Sequence, residues 1–269
     1  MVKYDLVACD IDGTLLGREE KLTDIHQQLK CFIKENKIPF TLVSGRSWPG
    51  LQKLIDFFEP ELPVLGNNGG TAYYKGNVIW TYAFNAKPLW PAICEAAKRN
   101  MTIVYTVGMN EYAYLRNDYL QNQIEKFGRY DKVWTANETE WSNLSLDKIM
   151  IIDPAKPGHI DAVLAAIPAD FKPELNVVRY NDRSADITAA KADKARGLKD
   201  LKTYLHAKKT IACGDDLNDI AFLQAADLGI AVANAHKELC AVADIVTEKA
   251  GAEGVLDCLR HIFKPNILS

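Results

Sequence analysis

The chain has only a small surplus of charge, which is negative. Lysine and arginine total 32 against 35 aspartate and glutamate residues, which leaves a formal net charge of -3. This balance argues against an extended basic surface of the kind that binds nucleic acid. We therefore expect no nucleic-acid partner, and an anionic ligand has to be held locally, by a metal ion or by helix ends.

Long apolar runs and closely paired cysteines are also missing. No run reaches the roughly 18 apolar residues of a membrane span, and no cationic segment followed by an apolar stretch opens the chain. The six cysteines form no CxxC pair, which argues against zinc or redox chemistry and favours structural thiols in a reducing compartment. These absences predict a cytoplasmic protein without a membrane partner and leave its oligomeric state open.

Alternating strand and helix patterns occupy both ends of the chain. With 269 residues, 48% of them hydrophobic, the chain can form one large domain or two modest ones. Strand patterns at residues 4–9 and 39–43 alternate with amphipathic helical patterns, and the alternation returns around a strand pattern at 210–213. This βαβα order is typical of a parallel sheet covered by helices. The less regular residues 85–184 predict an inserted mixed sheet with a few helices.

Polar residues directly follow several predicted strands. In open α/β sheets, ligands bind beyond the carboxyl ends of the parallel strands, so these residues are candidates for a site. They are Asp10 and Asp12 after the first strand, Ser44, Gly45 and Arg46 after the second, residues 67–70 after the third, and Asp215, Asn218 and Asp219 after the strand at 210–213.

Carboxylates gathered at one sheet edge repel one another, and a hard dication relieves that repulsion. Magnesium prefers oxygen ligands and is usually held by one or two carboxylates together with a substrate phosphate. Asp10, Asp215 and the backbone carbonyl of Asp12 would form such a site. A phosphoryl group requires hydrogen-bond donors at the same point, and the candidates are Ser44, the Gly45 amide, a lysine at the start of a helix, and Asn218.

The two aspartates after the first strand are suited to different roles. Asp10 can attack phosphorus and form an aspartyl-phosphate, which splits one difficult displacement into two easier ones. Asp12 can protonate the leaving oxygen and later accept a proton from the hydrolytic water. Gly13 and Thr14 let the chain turn sharply after the strand.

Three motifs resemble those of the haloacid dehalogenase (HAD) superfamily. DIDGTLL at 10–16 is similar to its first motif, DxDGT(L/V), and SGR at 44–46 to its second. GDDLND at 214–219 is similar to its fourth motif in the GDxxND form of the Cof-like phosphatases, and NAHKELCAVADIVTEKAGAEGV at 234–255 resembles the tail of that subfamily. The resemblance involves both ends of the chain.

The resemblance implies a fold of the α/β class. Residues 1–84 and 185–269 would form a discontinuous, Rossmann-like core domain with a parallel sheet. Residues 85–184 would form an inserted α+β cap domain, which in the family closes over the site and reads the leaving group. Substrate choice would therefore depend on the part of the chain whose sequence is least regular.

The resemblance also implies a role for each motif residue. Asp10 would be the nucleophile and a Mg²⁺ ligand, Asp12 the acid/base with its main-chain oxygen on the metal, and Asp215 the third protein ligand. The phosphate would be bound by Ser44, Gly45 and the amide of Ile11, and Asn218 would help to hold the phosphate or the motif lysine. Asp219 would lie near the metal without coordinating it directly.

The third motif departs from the Cof-like form, EI-x-P-x-x-x-x-KG. The corresponding stretch ADITAAKADKARGL has an aspartate for the glutamate, and Ala189 and Ala195 stand where the proline and the glycine are expected. Lys194 fits the spacing of the phosphate-binding lysine, whereas Lys191 does not. We assign the role to Lys194, and a shorter distance from Lys191 to Asp10 would reverse the assignment.

Other polar residues have simpler interpretations. Arg46 binds phosphate or braces the motif through salt bridges, and its position favours neither role. The asparagine and glycine run at 67–70 is typical of a turn with positive φ. The five histidines do not cluster at metal spacing, and His26 is expected at a helix surface or helix end.

The sequence thus predicts a Mg²⁺-dependent phosphomonoester hydrolase acting on a small phosphorylated metabolite. Sugar phosphates are the leading class, on the resemblance alone. Two alternatives stay open. A phosphotransferase or phosphomutase could use the same nucleophile, and a non-catalytic regulatory protein that binds a phosphorylated ligand could retain the fold.

Overall fold

The computed structural model describes residues 4–17, 19–128, 130 and 132–264. The strands are, in chain order, β1 (Leu6–Asp10), β2 (Phe40–Val43), β3 (Val64–Gly66), β4 (Thr71–Tyr74), β5 (Asn77–Thr81), β6 (Phe84–Asn85), β7 (Thr102–Val107), β8 (Asn110–Ala113), β9 (Ser145–Leu146), β10 (Lys148–Ile152), β11 (Leu175–Tyr180), β12 (Ser184–Ala189), β13 (Thr210–Gly214), β14 (Leu228–Ala231) and β15 (Ile245–Val246). The helices are α1 (Asp24–Glu35), α2 (Trp48–Phe58), α3 (Trp90–Lys98), α4 (Asp118–Phe127), α5 (Glu138–Ser142), α6 (Ile160–Ala165), α7 (Lys194–Tyr204), α8 (Ile220–Ala225), α9 (Lys237–Cys240) and α10 (Gly251–Phe263).

Backbone contacts divide the chain into two compact units. The first comprises the chain up to Gly45, Lys53–Lys75 and the chain from Asp193 onward, and the second comprises Arg46–Gln52 and Gly76–Ala192. The domain boundaries expected from the sequence, after residues 84 and 184, stay a prediction.

The sheet of the first unit is mostly parallel. Its strands lie in the order β15-β14-β13-β1-β2-β3-β4, and only β4 runs antiparallel to its neighbour β3 among the pairs described here. β1 lies between β13 and β2, so the strand order reverses at β1. Such a reversal leaves a crevice beyond the carboxyl ends of the strands, which is where α/β proteins bind ligands.

The central strands owe their position to continuous apolar sequence. Every residue of β1 (LVACD) and of β13 (TIACG) is buried, as expected for parallel strands with helices on both faces of the sheet. Among the covering helices, α1 packs against α10 and α7 packs against α8. The charged end of β1 therefore lies in the buried centre of the first unit's sheet.

His26 connects the start of α1 to the turn after β1. The Thr23 N–H donates to His26 Nδ1 at 3.0 Å in a capping box. Because Nδ1 accepts, Nε2 carries the proton and donates to Leu15 O at 2.9 Å. The residue lies at a helix end, as expected, but it is buried and belongs to the packing of the unit.

The second unit contains an antiparallel sheet with the strand order β11-β12-β10-β7-β8. One face of it packs in a core that includes Tyr105, Trp141, Ile149 and Ile151, together with residues of α3 and α6. Trp141 fills the middle of that core, and its Nε1–H donates to Ala86 O at 2.8 Å. An aromatic core of this kind explains the frequent aromatic residues between 85 and 184.

The predicted fold class is confirmed, because a large parallel-dominated sheet and a smaller mixed α/β region are both present. β12 pairs with β10 and β11 in the second unit, since its apolar residues Ala185 and Ile187 face the core of that unit. In the described part of the chain, no helix has the length and apolar character needed to cross a membrane.

Candidate active site

Strand register brings the predicted acidic and polar residues to one edge of the first unit's sheet. β1 ends at Asp10 and is paired on one side with β13 and on the other with β2. Asp215 comes one residue after β13, and Ser44 comes one residue after β2. All three residues therefore lie where the strand order reverses.

Lys194 forms two short ion pairs with buried carboxylates. Its Nζ lies 2.6 Å from Asp10 Oδ1 and 2.6 Å from Asp219 Oδ1, and the relative exposures of Asp10, Lys194 and Asp219 are 3%, 5% and 0%. Burial by itself lowers the pKa of Lys194, but the two carboxylates raise it above its ordinary value. The lysine therefore stays charged inside the site.

Asp215 is held by the turn that follows β1. Thr14 Oγ1 donates to Asp215 Oδ1 at 2.9 Å, and the Asp215 N–H donates to Asp219 Oδ2 at 3.1 Å. Gly13 lies directly against the same carboxylate, because a Cβ at position 13 would be 1.9 Å from Asp215 Oδ2. With a φ of +91° as well, position 13 requires glycine.

The acidic residues form a cluster that fits a divalent metal ion. One carboxylate oxygen from each of Asp10, Asp215 and Asp219 lies within 4.8 Å of the others. Burial raises the pKa of Asp10 well above its ordinary value, against the lowering effect of Lys194. Burial also raises the pKa of Asp215 to about 6, against the hydrogen bond from Thr14. In their deprotonated forms, three carboxylates against one ammonium leave an excess of negative charge, which a divalent cation with oxygen ligands would balance.

Asp12 lies in the turn after β1 and is exposed. The turn is closed by backbone hydrogen bonds: the Gly13 N–H donates to Leu16 O at 2.7 Å, and Ile11 O accepts from the N–H groups of Leu15 and Leu16, at 2.8 Å each. The exposure of Asp12 suits a residue that exchanges protons with water.

The segment after β2 packs against the turn at 67–70. The buried Ser44 accepts a hydrogen bond at its carbonyl from the Asn68 N–H, at 2.9 Å. The Asn68 carboxamide lies over Gly45, where a Cβ would be 2.8 Å from Asn68 Oδ1. Asn67 and Asn68 have φ values of 51° and 58°, so the positive-φ turn expected from these residues is present.

Two glycines allow α7 to approach the same turn. A Cβ at Gly69 would be 2.6 Å from Asp193 O, and a Cβ at Gly197 would be 2.6 Å from Gly69 O. Backbone contact at both positions sets the start of α7 against the turn after β3. Lys194, the first residue of α7, is positioned by this contact.

The structure separates the two candidate lysines. Lys191 is exposed, whereas Lys194 contacts Asp10, so the geometry favours Lys194. Of the other sequence candidates, Asn218 is exposed in a 3-10 turn, and Arg46 donates to a backbone carbonyl of α2 at 3.5 Å. Their roles in catalysis or phosphate binding stay predictions.

Sequence reasoning missed two contacts of the site. The motif assigns Thr14 only to the turn, but its hydroxyl orients Asp215. Asp219 is expected around the metal, and the structure brings one of its oxygens to Lys194 while the other accepts from the Asp215 and Asp216 amides. The sequence signals that could have indicated these two contacts are the threonine of DGT and the last aspartate of GDDLND.

The parallel sheet has an acidic cluster that could hold a metal ion, and a buried lysine, at the ends of its strands. This arrangement is typical of α/β enzymes. Residues 7–259 match the model of the haloacid dehalogenase-like hydrolases, and the chain belongs to that family. The predicted resemblance to the HAD superfamily is confirmed, and so is the prediction of an enzyme of the HAD phosphatase type.

Similar proteins match this chain over nearly its whole length. Phosphoglycolate phosphatase of Natronomonas pharaonis is 29% identical over 257 residues, which cover 94% of this chain and 95% of that protein. The 5-amino-6-(5-phospho-D-ribitylamino)uracil phosphatase YcsE of Bacillus subtilis is 23% identical over 268 residues, 97% of this chain and 96% of that protein. The crystal structure of a haloacid dehalogenase-like hydrolase from Bacteroides thetaiotaomicron aligns with a TM-score of 0.82 and 22% identity over 97% of this chain and 100% of that chain.

Proposed function

We propose that the protein is a magnesium-dependent phosphomonoester hydrolase that forms an aspartyl-phosphate on Asp10. The observation that carries the proposal is the buried contact of Asp10 and Asp219 with Lys194, beside Asp215, at the carboxyl end of β1. Charged groups gathered in a buried site are costly to desolvate, and perturbed carboxylates of this kind cluster at functional sites. The arrangement supports a catalytic carboxylate at position 10.

Mg²⁺ would be held by the carboxylates of Asp10 and Asp215 and by the main-chain carbonyl of Asp12. The acidic cluster supports the two carboxylates of this set, because it offers hard oxygen ligands and an excess of negative charge. When bound, the metal would neutralise the cluster and polarise the phosphoryl oxygens.

In the first step, a carboxylate oxygen of Asp10 attacks the phosphorus of the bound monoester. The bond from Asp10 to phosphorus forms as the bond from phosphorus to the ester oxygen breaks. Asp12 donates a proton to that oxygen, so the organic part leaves as an alcohol. The contact with Lys194 at 2.6 Å supports this step, because it holds the Asp10 carboxylate in one orientation.

In the second step, Asp12 accepts a proton from a water molecule that attacks phosphorus. The bond between Asp10 and phosphorus breaks, inorganic phosphate leaves, and both aspartates return to their starting states. The solvent exposure of Asp12 supports this role, because the residue can contact both the departing alcohol and incoming water.

Hydrogen-bond donors around the transferred group would stabilise the charge that develops on its oxygens. The positions of β1, β2 and α7 at one sheet edge support this assignment. The proposed donors are Ser44, the amides of Gly45 and Ile11, Lys194 and Asn218. Asp219 would keep Lys194 in place, and Arg46 would support the loop after β2.

A small phosphorylated metabolite is the proposed substrate, with sugar phosphates as the leading class. The names of two relatives support a small phosphorylated metabolite as the substrate. One is a phosphoglycolate phosphatase, and the other is a 5-amino-6-(5-phospho-D-ribitylamino)uracil phosphatase. The phosphate monoester is the group that both names share, so we propose that the phosphoryl site is the common feature.

A panel of phosphorylated metabolites, including sugar phosphates and phosphoglycolate, tests this function. We expect inorganic phosphate to be released in the presence of Mg²⁺ and not in the presence of EDTA, and we expect Asp10→Asn to reduce release to background. Release that survives Asp10→Asn unchanged, or no release from any member with Mg²⁺ present, contradicts the proposal. A second assay uses a substrate whose phosphoryl group is isotopically labelled, with a free sugar added as a competing acceptor. Label that appears on the sugar identifies a phosphotransferase.

A further inference from the structure

Asn234 links two parts of the first unit that meet beside the acidic cluster. It lies in the segment after β14, and its side chain makes two hydrogen bonds. Asn234 Nδ2 donates to Gly13 O at 2.8 Å, and Asn234 Oδ1 accepts from the Gly251 N–H at 2.9 Å. Gly13 belongs to the turn after β1, and Gly251 is the first residue of α10. One exposed side chain thus joins three segments.

The backbone at Gly13 is in direct contact with the Asp215 carboxylate. Its close approach leaves no room for a Cβ, and its N–H is already bonded to Leu16 O at 2.7 Å. The Gly13 carbonyl shares a planar peptide unit with the N–H of Thr14. By holding that carbonyl, Asn234 orients the plane from which Thr14 extends to donate to Asp215 Oδ1.

The segment that carries Asn234 also contacts the backbone of Asp215. The His236 N–H, two residues after Asn234, donates to Asp215 O at 2.7 Å. The same short segment therefore contacts the strand end that carries Asp215 and the turn that carries Gly13 and Thr14. Neither of these contacts involves an atom that would bind metal or substrate.

We propose that Asn234 is a positioning residue for Asp215, which acts through Gly13 and Thr14 to hold this carboxylate ready for a divalent cation. The proposal rests on the metal-dependent function proposed above. Removing a group that orients a metal-binding side chain typically weakens metal affinity by about 10- to 100-fold. We therefore expect Asn234 to matter for metal affinity more than its exposed position suggests.

Asn143 provides a matched control for a purely structural hydrogen bond. Its side-chain Nδ2 donates to Thr139 O at 2.8 Å, and the residue is exposed at the end of α5 in the second unit. Asn143→Ala and Asn234→Ala each remove a side-chain amide bonded to a backbone carbonyl at the same distance. If Asn234 only anchored α10, both changes would lower stability and neither would alter metal affinity.

Asn234→Asp separates positioning from electrostatics. The aspartate keeps an oxygen that can accept from the Gly251 N–H, but it cannot donate to Gly13 O. It also adds a negative charge near the acidic cluster, which by Coulomb attraction alone would strengthen the binding of a cation. The positioning role predicts the opposite result, weaker binding.

Calorimetric titration of Mg²⁺ into the metal-free 269-residue chain tests the proposal, with the thermal midpoint of each metal-free variant measured alongside. We expect affinity to fall about tenfold or more in Asn234→Ala and to fall also in Asn234→Asp, whereas Asn143→Ala keeps the wild-type affinity. If Asn234→Ala does not fold, Asn234→Asp carries the test.

Wild-type affinity in Asn234→Ala, or tighter binding in Asn234→Asp, overturns the positioning role while the metal-dependent function stands. A wild-type protein that binds no divalent cation overturns both.

Discussion

At the scale of single residues, two buried carboxylates share one ammonium group. Asp10 and Asp219 each lie 2.6 Å from Lys194 Nζ, and all three side chains are almost completely buried. A buried ion pair adds little net stability, because the loss of hydration opposes the Coulomb attraction. Retaining such a group is therefore better explained by chemistry at Asp10 than by stability.

Replacing Lys194 by methionine should damage both folding and activity. Lys194→Met leaves Asp10 and Asp219 buried without a cation, and breaking a buried pair in this way typically lowers the free energy of unfolding by about 3–5 kcal/mol. We expect that loss in urea denaturation at neutral pH, together with loss of phosphate release. Lys191→Met is the control, because Lys191 is exposed and three residues away, and a change within about 0.5 kcal/mol is expected there. Similar losses in both variants would contradict the assignment of Lys194.

The raised pKa of Asp215 predicts a specific dependence of stability on pH. Burial raises this pKa from 3.8 to about 6, so between these values the folded protein binds more protons at Asp215 than the unfolded chain does. The contribution of Asp215 to stability is therefore lost as the pH rises from about 4 to about 6 in metal-free protein. Asp215→Asn should lack this loss.

Urea midpoints measured in EDTA over this pH range provide the comparison. The difference between wild type and Asp215→Asn should change with pH mainly between about 4 and 6. Parallel curves for the two proteins would show that Asp215 titrates normally. Added divalent cation should stabilise the wild type more at the upper end of the range, because the metal binds the deprotonated carboxylate.

At the scale of secondary-structure elements, the contact of α7 with the turn at 67–70 positions Lys194. Gly197 lies in the second turn of α7, and a Cβ there would be 2.6 Å from Gly69 O and 2.9 Å from Gly69 Cα. Alanine usually stabilises a helix interior relative to glycine, by about 1 kcal/mol. At this position the clash with backbone atoms opposes that gain.

Gly197→Ala should therefore destabilise the protein and lower its activity. Overpacking of this kind typically costs about 1–3 kcal/mol, and a shift of α7 moves Lys194 relative to Asp10. Urea denaturation and phosphate release measure the two effects. Gly17→Ala is the control, because no atom of the described residues beyond its chain neighbours lies within 4 Å of the Cβ it would add. A stabilised and fully active Gly197→Ala would contradict the proposed packing constraint.

The elements that the sequence predicts well are those whose signals are local. The apolar run of β1 and the acidic motif after it are contiguous, so both the strand and the position of Asp10 could be predicted. The antiparallel pairing of β12 with β10 and β11 could not be predicted, because it depends on contacts between strands and leaves no local pattern in the sequence. The burial of His26 could not be predicted either, because His26 hydrogen-bonds to the carbonyl of Leu15, which lies in a different segment.

At the scale of the whole molecule, the site is assembled from distant parts of the sequence. Asp10 and Lys194 are 184 residues apart, and Gly13 and Asn234 are 221 residues apart. The motif resemblance is sufficient to predict that Asp10, Lys194 and Asp215 come together. It does not predict the role of Asn234, because a hydrogen bond between two loops leaves no periodic or motif signal in either of them.

Covalent chemistry at Asp10 is the central claim, and trapping the intermediate tests it most directly. Enzyme mixed with Mg²⁺ and a phosphomonoester that it hydrolyses is quenched during turnover and treated with borohydride, which reduces an acyl phosphate to an alcohol and leaves a free carboxylate intact. Peptide mass spectrometry should then find homoserine at position 10, only when both substrate and Mg²⁺ are present. An unmodified Asp10 under rapid turnover, or reduction at another aspartate, would contradict the account.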